Sequence, residues 1–323
     1  LASGMTILQV AANPFVAVLG PKEGASSRLN LSQAFNSLGT AIAPAVGAAF
    51  LLSDTVKTTS EINLLTEVEK AAYYITEATA VQVPFIAISA CVVLLAILFA
   101  FVKLPTLIQA NSKNGYGEVL KNKVLRMGAL GIFLYVGAEV AIGSYLVNYF
   151  IDMDLHNSIK NSAWMSNLAN NILNAELADL DKRAIVGAFV TFYWSGAMIG
   201  RFIGSYLTRV YAPNKILSYF AIGAFGMILL SMSSTGPLSM WSILFVGLFN
   251  SIMFPTIFTL SIQDIEDLKP QASGILCTMI VGGAIVPPLY GLCTDLAGFK
   301  MAFVVLLVCY TYIYYFAKST SKK

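Results

Sequence analysis

The stretches TAVQVPFIAISACVVLLAILFAFV (79–102) and ASGILCTMIVGGAIVPPLYGL (272–292) contain no Lys, Arg, Asp or Glu. A helix rises about 1.5 Å per residue, so about 20 apolar residues cross the hydrocarbon core of a bilayer, and both runs are long enough to do so. They are continuously apolar instead of alternating with a period of two. That excludes strands of a membrane barrel and leaves the helix, which satisfies its own backbone in lipid. The rest of the chain follows the same pattern, with 57% hydrophobic residues, 11% charged residues and a mean hydropathy of +0.73. Soluble domains carry about a quarter charged residues.

Hydropathy windows place nine spans, at 1–20, 31–52, 80–103, 127–150, 183–207, 216–233, 238–262, 272–293 and 298–317. The expected fold is therefore all-α and integral to the membrane. The side holding loops 21–30, 104–126, 208–215, 263–271 and the C-terminus, with Lys103 and Arg201 at its border, carries 14 of the 20 Lys and Arg residues. This predicts a multi-pass membrane protein with a cytoplasmic C-terminus. Segment 104–126 is the longest cytoplasmic connection, polar and basic. It divides a first bundle (1–103, three helices) from a second (127–323, six helices), as half of one bundle followed by a whole one. The outer loops 53–79 and 151–182 contain LLTEVEKAAYYIT (64–76) and NSAWMSNLANNIL (161–173), each able to form an amphipathic interfacial helix. The chain opens on Leu1 inside an apolar run, without an initiator Met or a basic leader, which reads as a truncated chain.

Composition also narrows the chemistry. Cys91, Cys277, Cys293 and Cys309 all lie in apolar runs without metal-ligand spacing, and the single histidine, His156, falls in a polar loop. No metal, cofactor, enzymatic or nucleic-acid-binding pattern emerges. The expected partners are the lipid bilayer, a small polar solute and a coupling ion.

The functional information sits in the polar residues at membrane depth, which face bundle interiors or aqueous cavities because lipid excludes them. Gln9 and Asn13 share a face just ahead of Pro14. Gln33, Asn36 and Thr40 form a polar stripe on the next span, and amides both donate to and accept from sugar hydroxyls. Glu139 is the only acidic residue well inside a span; the sequence gives it no basic partner at similar depth and makes it the proton-coupling candidate. Asn250 and Phe254, one turn apart before Pro255, offer an amide beside a ring, and Trp194 offers a second ring. Arg201 with Asp264 or Glu266, at cytoplasmic span ends, reads as a gate. Gly200 and Gly204 form a small-residue face for close helix contact, and Gly282–Gly283 with Pro287–Pro288 mark an interrupted helix.

In this order, LQVAANPFVAVLG (8–20), SRLNLSQAFNSLGT (27–40), YVGAEVAIGSYLVNY (135–149), GAMIGRFIGS (196–205) and QASGILCTMIVGGAIVPPLYG (271–291) resemble the fucose permease and glucose/galactose transporter branch of the major facilitator superfamily. The resemblance implies a twelve-helix fold of which nine helices are present, the first span here matching the family's fourth helix. It also implies import of a hexose or deoxyhexose in a bacterial inner membrane by proton-linked symport, through alternating access of two six-helix halves; the residues themselves leave the coupling ion open between a proton and sodium. Gln33 and Asn36 match the polar sugar-facing pair of fucose permeases. Gln9 departs from them, since they carry a glutamate there that is implicated in proton coupling. Together these readings predict a cavity lined by Gln9, Asn13, Gln33, Asn36, Glu139, Asn250 and Phe254. The rivals are a carrier of another polar metabolite, an efflux antiporter and a non-transporting nutrient sensor.

Overall fold

The computed structural model describes residues 2–51, 62, 64–103, 115–173, 176–177, 180–265 and 267–322, and among them there is no strand. In chain order the helices are α1 (Ala2–Val18), α2 (Ala25–Leu51), α3 (Glu67–Phe101), α4 (Lys123–Asp152), α5 (Leu155–Asn161), α6 (Ala163–Leu173), α7 (Lys182–Val210), α8 (Pro213–Ser233), α9 (Gly236–Asn250), α10 (Met253–Ile262), α11 (Lys269–Thr278), α12 (Gly282–Ala297) and α13 (Phe299–Ser319). Seven described segments are long and apolar enough to cross a membrane: Pro84–Phe101, Lys123–Asp152, Lys182–Val210, Pro213–Ser233, Gly236–Ile262, Lys269–Ala297 and Phe299–Ser319. The first two spans read from the sequence are helices as well, α1 and α2, outside that set of seven.

Local chemistry sets the ends of these helices. Asp181 accepts from the Arg183 amide to cap α7, and Asn122 accepts from the Val124 and Leu125 amides to cap α4. Pro213, Pro237 and Pro270 occupy first turns, where no intrahelical N–H bond is lost. Gly298, at φ +81°, makes the tight turn between α12 and α13, a backbone region that a side chain disfavours.

The chain divides into two compact units. One comprises Leu38–Thr106 and contains the second part of α2 together with α3. Residues 67–79, expected in an outer loop able to form a short interfacial helix at 64–76, are helical and continuous with the span as the first turns of α3, started by a capping box between Thr66 and Glu69. Within Pro84–Phe101 no residue is buried, and side chains such as Ile86, Val92, Leu94 and Phe99 are exposed, as a lipid-facing surface requires.

The other unit comprises Leu1–Ser37 and Leu107–Lys323. Here α4 is the hub, packed against α7, α10, α12 and α13, with Leu125, Ile132, Ala138 and Ile142 fully or nearly fully buried. Glycines set the closeness. A Cβ on Gly282 would fall 1.9 Å from the Phe133 carbonyl oxygen, and one on Gly200 would fall 2.5 Å from that of Leu248. The expected small-residue face at Gly200 and Gly204 is thus where α7 meets the α9–α10 segment. The interruption expected at Gly282–Gly283 lies one step earlier, as a 3₁₀ turn at Met279–Val281, while Pro287 and Pro288 sit inside α12. Of the expected linker, 104–114 lies outside the described residues, and Tyr116–Val119 form a single helical turn. NSAWMSNLANNIL contributes α6, whose Trp164 ring lies 5.7 Å from that of Trp241.

Candidate functional site

A proline places the central cation. Gly236–Ile262 breaks at Ser251–Ile252, between α9 and α10. The residue four positions after Ser251 is Pro255, which has no N–H, so the Ser251 carbonyl lacks its helical donor. Arg201 Nε fills that vacancy, donating to the Ser251 carbonyl at 3.1 Å. The glycine face around Gly200 and Gly204 lets α7 approach closely enough for this bond.

The rest of the Arg201 fork reaches two other helices. Nη1 donates to Ser37 Oγ on α2, and Nη2 stands 3.9 Å from Glu139 Oε1 on α4. Both charged side chains are largely buried, Arg201 at 16% exposed and Glu139 at 14%. The sequence reading that Glu139 lacks a basic partner at its depth is therefore corrected. Arg201 was expected at a membrane border, but its long side chain reaches inward along the break. Asp264, expected beside it, lies exposed just past the end of α10, and Glu266 falls outside the described residues.

Glu139 is enclosed by polar groups that leave it only partly satisfied. One turn before it, the buried Tyr135 hydroxyl interacts with the carboxyl at less than full hydrogen-bond geometry, and Glu139 Oε1 has no donor. Tyr193 of α7 and Tyr310 of α13 stand within electrostatic reach of the carboxyl. Trp194 packs over Gly143, one turn beyond Glu139, and is 46% exposed.

Asn250 is placed differently. It is fully buried, its Nδ2 donates to Tyr193 Oη at 2.8 Å, and its Oδ1 accepts from Tyr310 Oη at 2.7 Å. Phe254 packs on Phe258 at 6.0 Å, across the break from Asn250.

The amide stripe runs along α2. Gln33 is half-buried and donates to Asn13 Oδ1 at 3.5 Å, while Asn36 is exposed. Ser37 Oγ donates to the Gln33 carbonyl at 3.0 Å, so the hydroxyl that accepts from Arg201 is tied to the amide-bearing turn. Asn13 is buried and its Nδ2 finds only the Cys277 thiol, at less than full hydrogen-bond geometry; Gln9, half-buried, lies one turn before it on α1. Near the start of α2, Ser26 meets Thr259 Oγ1 at 2.6 Å, Ser27 donates to the Ser205 carbonyl at 2.7 Å, and Asn30 donates to Thr256 Oγ1 at 3.3 Å.

Ser37, Tyr193 and Tyr310 escaped the sequence reading. The signal for the Ser251 carbonyl was present in the spacing to Pro255, but the pairings of Arg201 depend on helix register. Chemically, the arrangement offers one carboxyl able to hold a proton or cation, amides suited to hydroxyls, and a guanidinium touching both sets.

Comparison with known proteins extends these observations. A model of the Major Facilitator Superfamily matches residues 1–280. The chain is 41% identical over 325 residues to a glucose/galactose transporter of Brucella abortus biovar 1 (strain 9-941), covering 100% of this chain and 70% of that protein. It is 32% identical over 333 residues to the L-fucose-proton symporter of Escherichia coli (strain K12), again covering 100% of this chain and 70% of the relative. The crystal structure of FucP, a transporter of the same superfamily in the outward conformation, superposes with a TM-score of 0.85 at 29% identity, covering 100% of this chain and 74% of that one.

Proposed function

The chain belongs to the Major Facilitator Superfamily, and on that premise we propose that it takes up a hexose or deoxyhexose by cation symport, with alternating access across a bacterial inner membrane. The cation is a proton. The observation that carries this reading is the incompletely satisfied Glu139, a carboxyl buried at mid-span whose Oε1 has no hydrogen-bond donor. Such groups in lipid serve ions or solutes that come and go. The names of the relatives, a glucose/galactose transporter and an L-fucose-proton symporter, point to the same solute class and ion.

In this scheme Gln33 and Asn36 meet the sugar hydroxyls, with Asn13 and Gln9 behind them on α1. Asn250 and Phe254 hold the wall that backs Glu139. Residues 1–103 are the end of one six-helix half and 127–323 the other, with 104–126 between them in the chain, a division by repeat and not by packing, since Leu1–Ser37 pack with Leu107–Lys323. The basic loops put the C-terminus in the cytoplasm, where 14 of the 20 Lys and Arg residues collect. The Ser26–Thr259 and Ser27–Ser205 contacts then form a neutral clasp on the cytoplasmic side.

Uptake of labelled glucose, galactose and fucose into proteoliposomes, with and without an inward proton gradient, tests the proposal. The expected result is accumulation of at least one sugar above its equilibrium level, driven by the gradient. Uptake of none of them above empty liposomes would remove the sugar assignment. Accumulation that follows a sodium gradient and ignores pH would replace the proton.

A further inference from the structure

We infer that Arg201 is the positioning residue that makes sugar affinity depend on the charge of Glu139, by sharing one guanidinium between the Glu139 carboxyl and the Ser37 hydroxyl of the sugar-facing helix. The inference rests on the symport reading above and names the connection inside it.

The geometry is that of a fork with one fixed prong. Nε is held by the Ser251 carbonyl, an acceptor that exists because Pro255 cannot donate to it. The two remaining nitrogens face opposite demands, Nη1 toward Ser37 on α2 and Nη2 toward Glu139 on α4. At 3.9 Å the Nη2–Oε1 separation is longer than a hydrogen bond, so the guanidinium is near the carboxylate without being committed to it.

Arginine stays charged at every physiological pH, so Glu139 is the partner whose charge changes. Tyr135 faces it from α4, Arg201 and Tyr193 from α7, and Tyr310 from α13. The α9–α10 segment contains no Asp, Glu, Lys, Arg or His, while Lys269 opens α11 and Asp295 lies in the last turn of α12, both at helix ends.

When Glu139 is ionised, attraction draws Nη2 inward, and the fork, pinned at Nε, swings Nη1 away from Ser37. When Glu139 takes up a proton, the pull ends and Nη1 returns to Ser37. Because Ser37 Oγ also binds the Gln33 carbonyl, that return fixes the turn carrying the Gln33 amide. Protonation therefore prepares the sugar site, and by linkage bound sugar favours the protonated carboxyl to the same degree.

Binding of labelled sugar to the purified protein at a series of pH values, together with sugar counterflow in proteoliposomes, tests this. Wild-type affinity is expected to fall by at least about fivefold as pH rises through the Glu139 titration, the lower end of ordinary coupling. Ser37→Ala should retain counterflow, while its affinity changes by less than about twofold over the same range. Arg201→Lys, a point charge without the fork, should flatten the profile as well. Full wild-type pH dependence in Ser37→Ala would overturn the inference, as would a flat profile in a wild type that binds sugar. Loss of counterflow in a Ser37→Ala protein with wild-type melting would overturn it too, by making Ser37 a sugar contact. A wild type that binds none of the three sugars would instead overturn the transport reading on which the inference stands.

Discussion

Glu139 and Asn250 are two polar side chains buried in the same compact unit, on helices that touch, and the protein treats them in opposite ways. Asn250 donates to Tyr193 and accepts from Tyr310, so both ends of its amide are met by protein. Glu139 has a guanidinium beyond hydrogen-bond length, an oxygen without a donor and only an imperfectly placed tyrosine hydroxyl next to it. In lipid both arrangements place polar atoms where water cannot reach them freely, yet only one of them is complete. A closed node fixes how helices pack; an open node at similar depth takes its missing partner from outside the fold.

The largest effect is expected where the open node loses its charge. Glu139→Gln keeps the shape and the polar surface but cannot exchange a proton. Gradient-driven sugar accumulation in proteoliposomes should fall to the level of passive equilibration, while counterflow, which needs no net proton movement, continues. Retention of full accumulation would break the comparison from one side, because Glu139 would then be as structural as Asn250.

Breaking the closed node should cost stability before it costs transport. Asn250→Leu leaves the Tyr193 and Tyr310 hydroxyls facing a hydrocarbon side chain, at about 1–3 kcal/mol for each group left unsatisfied. The measurement is thermal unfolding in detergent, alongside sugar affinity in the protein that remains folded. The expected outcome is a clear drop in melting temperature with little change in affinity. An unchanged melting temperature with loss of sugar binding would move Asn250 into the binding site and erase the distinction.

The contrast was only half legible in the sequence. The spans were readable because hydrocarbon imposes a simple condition on every residue of a crossing helix, and the Gly200 and Gly204 face was readable because three- and four-residue spacings survive folding. A helix at 64–76 was legible, but its continuity with the span was not, because Glu67, Glu69 and Lys70 suit a separate interfacial helix as well as the capped, exposed first turn of α3. Glu139 stood out as a lone carboxyl, but its partner did not. Arg201 looked like an interfacial residue, and only the register of α7 against the α9–α10 break turns its side chain inward. The saturation of Asn250 was equally hidden, since Tyr193 and Tyr310 come from two other helices. Sequence identifies a polar residue in lipid; whether that residue is satisfied depends on tertiary contacts.

The smallest predicted effect supplies the scale for the other two. The Tyr149 hydroxyl meets Ser239 Oγ at 2.6 Å, in a buried cluster where Ser231 and Ser239 also bond to each other. Removing that hydroxyl with Tyr149→Phe leaves two serines that still satisfy one another. The ring contacts with Phe299 and Phe303, at 5.6 and 5.0 Å, also remain available. A redundant interhelical hydrogen bond of this kind is worth about 0.6 kcal/mol in membrane proteins, so the melting temperature should shift slightly and sugar accumulation should match wild type. If Tyr149→Phe destabilised the protein as much as Asn250→Leu, then loss of any buried hydroxyl would be equally costly here. The completeness of a node would then no longer separate packing from function. A small shift beside a large one would instead establish that the cost comes from the groups left unpaired, the condition in which the fold already leaves Glu139 Oε1.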